Sequence, residues 1–477
     1  MLECMKWDFC RTLIGMGVLA AALGGLLLSC SPKPPATRED RLKWNLTTLT
    51  NDYESAGRKS PKWDQAAREA LTEFARSRTA SVDDALVLND LAGSVSESAV
   101  AAGCDDPMVA YLAVRYGANA RERPFAQRQE LYRAAASNLQ NSAYAPLRKF
   151  YADVDAAEIL YVRRNTNVWP LVSQLRNDAL GNLNAAYQDK TLPEAEAYLA
   201  AESLFDLLQH NPHELTNAYN TLAATLSSGG AKPAVAALVK AEFYSQYAWV
   251  GRGHGTADQV TDEQWRMFRE RLALAEQGLK TAWSRDPYDA QIPTLMISIA
   301  TGQQKKRSDM EVWFERAMKL NPENYEACRA KLHYLLPQWY GSREDMLAFG
   351  RECLAHTNWG GEVPLILVDA HSEFARGLSA DARRDYWSQP DVWPDIKAAY
   401  ERFAQTEPDA TRFRYPYAAY AVRCGQWPDF SEQIKLIRQN DGHVNAAYFG
   451  GQETFEKLLA VAAQTASAQN PTNAPPQ

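Results

Sequence analysis

The chain has 477 residues, 46% of them hydrophobic and 23% charged, which suits a folded protein with a sizeable core and excludes a disordered chain. Its 51 Lys and Arg against 58 Asp and Glu leave a formal charge of −7, and the basic residues are scattered through helix-like patterns. No basic stripe is present to track a phosphate backbone, so no nucleic-acid partner is expected.

Lys6 and Arg11 precede an apolar run from Leu13 to Leu28, which ends at Ser29-Cys30. A basic start, a short apolar centre and a small residue at the junction describe a secretory signal over residues 1–29, not a stable span. Leu27-Leu28-Ser29-Cys30 resembles the lipobox of bacterial lipoproteins. That resemblance implies cleavage before Cys30, lipidation of Cys30 and attachment to a bacterial membrane; an uncleaved anchor is the alternative. Ser31 rather than Asp after the cysteine implies the outer membrane, facing the periplasm, over the inner one. Residues 30–40, opening Ser31-Pro-Lys-Pro-Pro-Ala36, read as a short stiff tether.

From about Glu39 the chain reads as helices with short breaks, and three- and four-residue periodicity without sustained alternation predicts an all-α fold. Ser60-Pro61 predicts a helix start with Trp63, Ala66, Ala67, Ala70, Leu71 and Phe74 on one face. Cys104-Asp-Asp-Pro107 predicts another, with Val109, Leu112, Ala113 and Tyr116. Breaks follow at Pro146 and Trp169-Pro170, and Thr191-Leu-Pro-Glu194 reads as a capping box whose helix ends at His210-Asn211-Pro212. Residues 41–235 are therefore expected to form an N-terminal helical region.

Residues 236–463 carry an internal repeat. Asp286-Pro287 recurs as Asn321-Pro322, Ala282 as Ala317 and Leu279 as Phe314, each 35 places later. The period matches that of a tetratricopeptide repeat, in which stacked helical hairpins bury stripes that one hairpin cannot bury alone. Leu204 before Pro212 and Tyr400 before Pro408 keep the same offset, but only one interval shows the full period. The expected architecture is thus an irregular tetratricopeptide-like α-solenoid. Thr261-Asp-Glu-Gln264, Ser308-Asp-Met-Glu311 and Ser342-Arg-Glu-Asp345 read as helix starts, the last carrying Met346, Phe349, Gly350 and Cys353. A helix from Leu365 to Gly377 contains Asp369 and His371, and residues 464–477 are polar enough to be expected disordered.

No arrangement of residues points to catalysis, and no catalytic residue, metal ligand or cofactor is expected. Gly251-Arg-Gly-His-Gly255 lacks the lysine followed by Ser or Thr that a phosphate-cradling loop needs, and reads as a long connection. Glu202-Ser203-Leu204-Phe205 resembles the Glu-Ser-x-Phe of lytic transglycosylases, whose glutamate is a general acid, but no Gly-Leu-Met-Gln follows. Cys104, Cys328, Cys353 and Cys424 lack a Cys-x-x-Cys pair and are expected as buried thiols, with a Cys328–Cys353 disulfide as the alternative.

Trp249-Val-Gly-Arg-Gly-His-Gly, Trp313-Phe-Glu-Arg-Ala-Met, Pro337-Gln-Trp-Tyr-Gly-Ser and Trp359-Gly-Gly are similar to a group of exported, tetratricopeptide-like bacterial proteins without assigned activity. The resemblance implies a membrane-anchored scaffold or assembly factor for other envelope proteins or peptides. Its candidate contacts are Trp249, Arg252, His254, Trp339, Tyr340 and Trp359. The surplus of 13 Trp and 22 Tyr also admits a lipid-anchored glycan-binding protein or, further off, a helical glycan-cleaving enzyme.

Overall fold

The computed structural model describes residues 38–79, 82–161, 166–228, 233–253, 257–407, 413–442, 444 and 446–469. Residues 1–29, expected as a signal sequence, Cys30, most of the expected tether and His254 lie outside these residues. The described residues form one compact unit. Among the described residues it holds twenty-two α-helices and no strand.

The first half runs α1 (Arg38–Ala56), α2 (Asp64–Ser77), α3 (Val82–Ala101), α4 (Pro107–Tyr116), the short α5 (Ala118–Arg121), α6 (Phe125–Gln140), α7 (Pro146–Leu160), α8 (Trp169–Ala186), α9 (Glu194–Leu208) and α10 (Pro212–Ser228). The second half continues with α11 (Pro233–Arg252), α12 (Asp262–Arg285), α13 (Gln291–Gly302), α14 (Arg307–Leu320), α15 (Tyr325–Tyr334) and α16 (Arg343–Ala355). It ends with α17 (Ile366–Arg376), α18 (Ala380–Trp387), α19 (Val392–Thr406), α20 (Arg414–Arg423), α21 (Trp427–Asp441) and α22 (Gln452–Gln469). Apart from α15 and α16, each helix packs on its sequence neighbour, and alternate helices also touch: α2 with α4, α7 with α9, α9 with α11, α13 with α15, α15 with α17. That pattern of hairpins stacked on hairpins is an all-α solenoid.

The repeat residues do what their spacing predicts. Leu279, Ala282, Phe314 and Ala317 are all buried, and the small alanines let the neighbouring helix approach. The helices carrying them end at Arg285 and Leu320, directly before the Asp286-Pro287 and Asn321-Pro322 steps. The core passes from layer to layer without a gap. One apolar cluster runs from Leu49 to Phe243, a second joins Tyr198 and Leu238 to Ile299, and a third continues from Ile297 to Ala462. The division between residues 235 and 236 therefore falls inside α11, where packing is continuous on both sides.

Several helix starts follow the sequence reading. Asp106 accepts from the amides of Met108 and Val109 at the head of α4, Ser342 caps α16, and Thr261 with Gln264 forms the reciprocal box of α12. Two predicted boxes do not form. The Thr191 hydroxyl and amide both turn to Asp189 Oδ1 at 2.8 Å, and α9 starts after extended Pro193. Gln304 takes a left-handed φ of 57°, and the chain leaves that turn directly into α14 at Arg307, so Ser308 lies inside the helix. Ser60 likewise opens a turn, and α2 begins at Asp64. At the other end α22 runs on to Gln469, into the stretch expected to be disordered. Its alanines and glutamines favour a helix, and the Thr465 and Ser467 hydroxyls donate to carbonyls one turn back.

The N-terminal helix closes over the stack through one buried carboxylate. Glu196 in α9 is fully buried and accepts from Arg41 Nη2 at 3.2 Å, Asn45 Nδ2 at 3.3 Å and Arg78 Nη2 at 3.0 Å. Arg148 in α7 donates to Thr48 at 2.8 Å, adding a second tie between α1 and the layer beneath. Close backbone packing is needed nearby. A Cβ at Gly93 in α3 would lie 2.4 Å from the Tyr116 carbonyl, against rigid backbone and not a side chain that could swing away. Gly93→Ala is expected to lower stability by roughly 1–3 kcal/mol, as overpacking does. Chemical denaturation checks this, and an unchanged midpoint would refute the contact.

Candidate functional site

The structure brings four of the six sequence candidates together. Trp249, near the end of α11, meets Phe268 edge-on at 4.8 Å and Trp339 at 6.2 Å and 87°. Arg252, the last residue of α11, places its guanidinium 5.7 Å from the Trp249 ring and 5.1 Å from that of Trp265, so it sits between two indoles. Its own carbonyl accepts from Gln264 Nε2 at 3.4 Å, tying it to the capping box of α12. Trp339 adds His333 at 5.6 Å and Tyr340 at 6.2 Å. Tyr340 is the fixed member. Its hydroxyl donates to the Thr301 carbonyl at 3.1 Å, its ring lies 4.8 Å from Tyr334, and burial raises its pKa. Trp249, Arg252, Trp265 and Trp339 are each half-buried, so each keeps part of its surface in water.

Trp359 belongs elsewhere. It stacks on His356 at 4.0 Å and 12° and meets Phe314 at 5.7 Å, beside α14 and α16. His254 lies outside the described residues. Among the described residues Cys104, Cys328, Cys353 and Cys424 are buried free thiols. Cys353 touches Cys328, and burial, then that neighbour, pushes the Cys353 thiol up, while Cys328 Sγ lies 3.6 Å from Met318 Sδ. Asp369 and His371 are held within the fold: Asp369 accepts from the Tyr325 hydroxyl at 2.5 Å, and His371 bonds Tyr386 at 2.6 Å and Asp395 at 3.2 Å. Among the described residues no group of three or more His, Cys, Asp or Glu is arranged to hold a metal ion.

Sequence reasoning missed a band of carboxylates along the same row of helices. Asp155 and Glu158 project from α7, Glu202 and Asp206 from α9, and Glu242 from α11. Asp155 is held by the Tyr111 hydroxyl at 2.6 Å and Arg115 Nε at 2.9 Å. Glu242 accepts from the Tyr198 hydroxyl at 2.9 Å and Gln246 Nε2 at 3.1 Å, and Gln246 also donates to Asp206 at 2.8 Å. Among the described residues, Glu158, Glu202, Asp206 and Glu242 make no ion pair. Burial raises the pKa of all four; neighbouring carboxylates add to it at Glu158, Glu202 and Glu242. Glu202 is pushed up to about 7 by burial, then by Glu242, Asp206 and Glu326. Glu326 lies on α15, so α9 and α15 come within electrostatic reach of each other.

A cavity of about 230 Å³ opens beside this band, lined by Phe74, Tyr116 and Tyr151 together with Arg78, Arg115 and Asp155. The Arg78 guanidinium lies 4.6 Å from the Tyr151 ring. Band and aromatic edge are linked through α11. Glu242, Gln246 and Trp249 follow at i, i+4 and i+7, so one helix face carries the buried carboxylate, the amide and the half-buried indole in turn. The only sequence signal for the band is polar residues at helical spacing inside otherwise apolar helices. What fold and surface define is a helical solenoid with a polar, aromatic-edged inner row. No family model and no curated protein matches the chain.

Proposed function

We propose that this is a lipid-anchored cell-envelope scaffold whose helical row captures a segment of another protein. The observation that carries the reading is the convergence of Trp249, Arg252, Trp265 and Trp339, drawn from α11, α12 and the turn after α15, into one half-buried surface. Half-buried Trp and Arg are the residue types that dominate interface energetics: the rigid indole buries a large area, and the planar guanidinium adds directed donors. The unpaired carboxylates alongside give that surface a preference for a segment carrying Lys or Arg. Lipidation at Cys30 would hold the solenoid at the membrane and raise the effective concentration of membrane-bound partners.

Crosslinking and pull-down of the native protein from membranes tests this, against Cys30→Ala and against Trp249→Ala/Trp339→Ala. Partners captured by the wild type are expected to fall at least about tenfold with the double substitution, the loss expected of central aromatic anchors. The Cys30→Ala protein should lose its membrane partners while keeping its fold. Circular dichroism separates loss of binding from loss of structure, and full capture by the folded tryptophan variant would sink the assignment.

A further inference from the structure

A second cavity, of about 220 Å³, opens where the end of α7, the start of α8 and the turn between α9 and α10 meet. None of its residues takes part in the surface above. Trp169, the first residue of α8, leaves 44% of its surface exposed at the rim. Tyr161 and His210 stack at 6.4 Å and 23°, forming a second flat wall. Arg176 is only 8% exposed. Its Nη1 donates to Glu214 Oε2 at 3.1 Å, its Nη2 donates to the Leu207 carbonyl at 3.3 Å, and its guanidinium lies 5.3 Å from the Tyr161 ring. The remaining nitrogen, Nε, has no partner among the described residues. Asn211 and Glu214 complete the polar side.

The chemistry of the walls selects a ligand class. Glu214 balances the charge of Arg176, so the cavity offers no net field to a free anion or cation. Its walls are helix ends and side chains, with no strand edge for an extended peptide to pair against. What remains is a neutral molecule with an apolar face and closely spaced hydroxyls. A pyranose ring has both. Its C–H face packs on an aromatic ring, and each hydroxyl donates once and accepts, matching an arginine and a carboxylate side by side.

We infer that this cavity binds a neutral pyranose unit of a glycan, stacked on Trp169 with its hydroxyls against the outer edge of the Arg176–Glu214 pair. The inference does not depend on the protein-capture reading, since the two surfaces share no residue. Isothermal titration of the full mature chain with maltotetraose, cellotetraose, xylotetraose and chitotetraose tests it. At least one is expected to bind, with affinity reduced about tenfold or more by Trp169→Ala and several-fold by His210→Ala, the scale of losing a stacking contact. Both side chains are solvent-exposed, so neither change should move the thermal midpoint. No binding by any of the four at millimolar concentration would overturn the inference, as would binding that Trp169→Ala leaves unchanged.

Discussion

Glu196→Ala is expected to destabilise the protein by about 3–5 kcal/mol, the range found when one partner of a buried charge network is removed. Glu196 is fully buried between Arg41 and Arg78, with Asn45 as a further donor. Removing it leaves two guanidiniums facing each other, with a third close by. Arg148 is itself buried, and burial, together with the positive charge of Arg78, already holds its pKa below the ordinary value. Urea denaturation measures the loss. Glu130→Ala, which breaks an exposed pair with Arg133, should leave the midpoint unchanged and so controls for charge removal as such. Equal effects of the two substitutions would show that the Glu196 network does not hold α1 to α9.

The pH dependence of this network has a definite sign. Burial alone would raise the Glu196 pKa, but the charges and hydrogen bonds of Arg78 and Arg41 outweigh it, and the net shift is downward from 4.5. A carboxylate with a depressed folded-state pKa contributes stability above its unfolded value and loses it as pH falls through the folded one. The wild type should therefore weaken below about pH 4.5, and Glu196→Gln should flatten that part of the profile.

The architecture was largely legible in the sequence because its causes are local. Helical periodicity, the Asp-Pro and Asn-Pro stops, and caps at Asp106, Thr261 and Ser342 each act within a few residues. Local signals also failed locally: Asp189 competed for Thr191, and the turn at Gln304 carried the chain into α14 ahead of Ser308. The candidate surface was legible only as a list of residues. Nothing in the spacing of Trp249 and Trp339 says that their rings meet, and Trp359 carries the same signal yet packs elsewhere. The tie from Arg41 to Glu196 spans 155 residues, a distance over which no pattern in one sequence carries information. The carboxylate band stayed hidden because a glutamate at helical spacing looks alike whether it faces water or a partly dry row of helices.

That band gives the second large effect. Glu202→Gln is expected to make the protein more stable by roughly 2–3 kcal/mol at pH 8, on the conversion of a pKa displacement to free energy with allowance for partial exposure. The folded state holds the Glu202 proton up to about pH 7, against 4.5 ordinarily, because burial and the carboxylates of Glu242, Asp206 and Glu326 oppose its charge. A raised carboxyl pKa lowers stability as pH rises from the unfolded value to the folded one. The advantage of the amide should thus be absent below about pH 4.5, grow to about pH 7 and stay level above it. Thermal or urea midpoints across that range check the profile, and a difference independent of pH would refute the electrostatic cause. The same substitution is expected to weaken capture of a basic segment at pH 8, because the charge that strains the empty protein is the charge such a segment would neutralise. Stability gained and binding lost at one residue would mark Glu202 as part of the binding surface and not of the core, since a purely structural residue would move only the first.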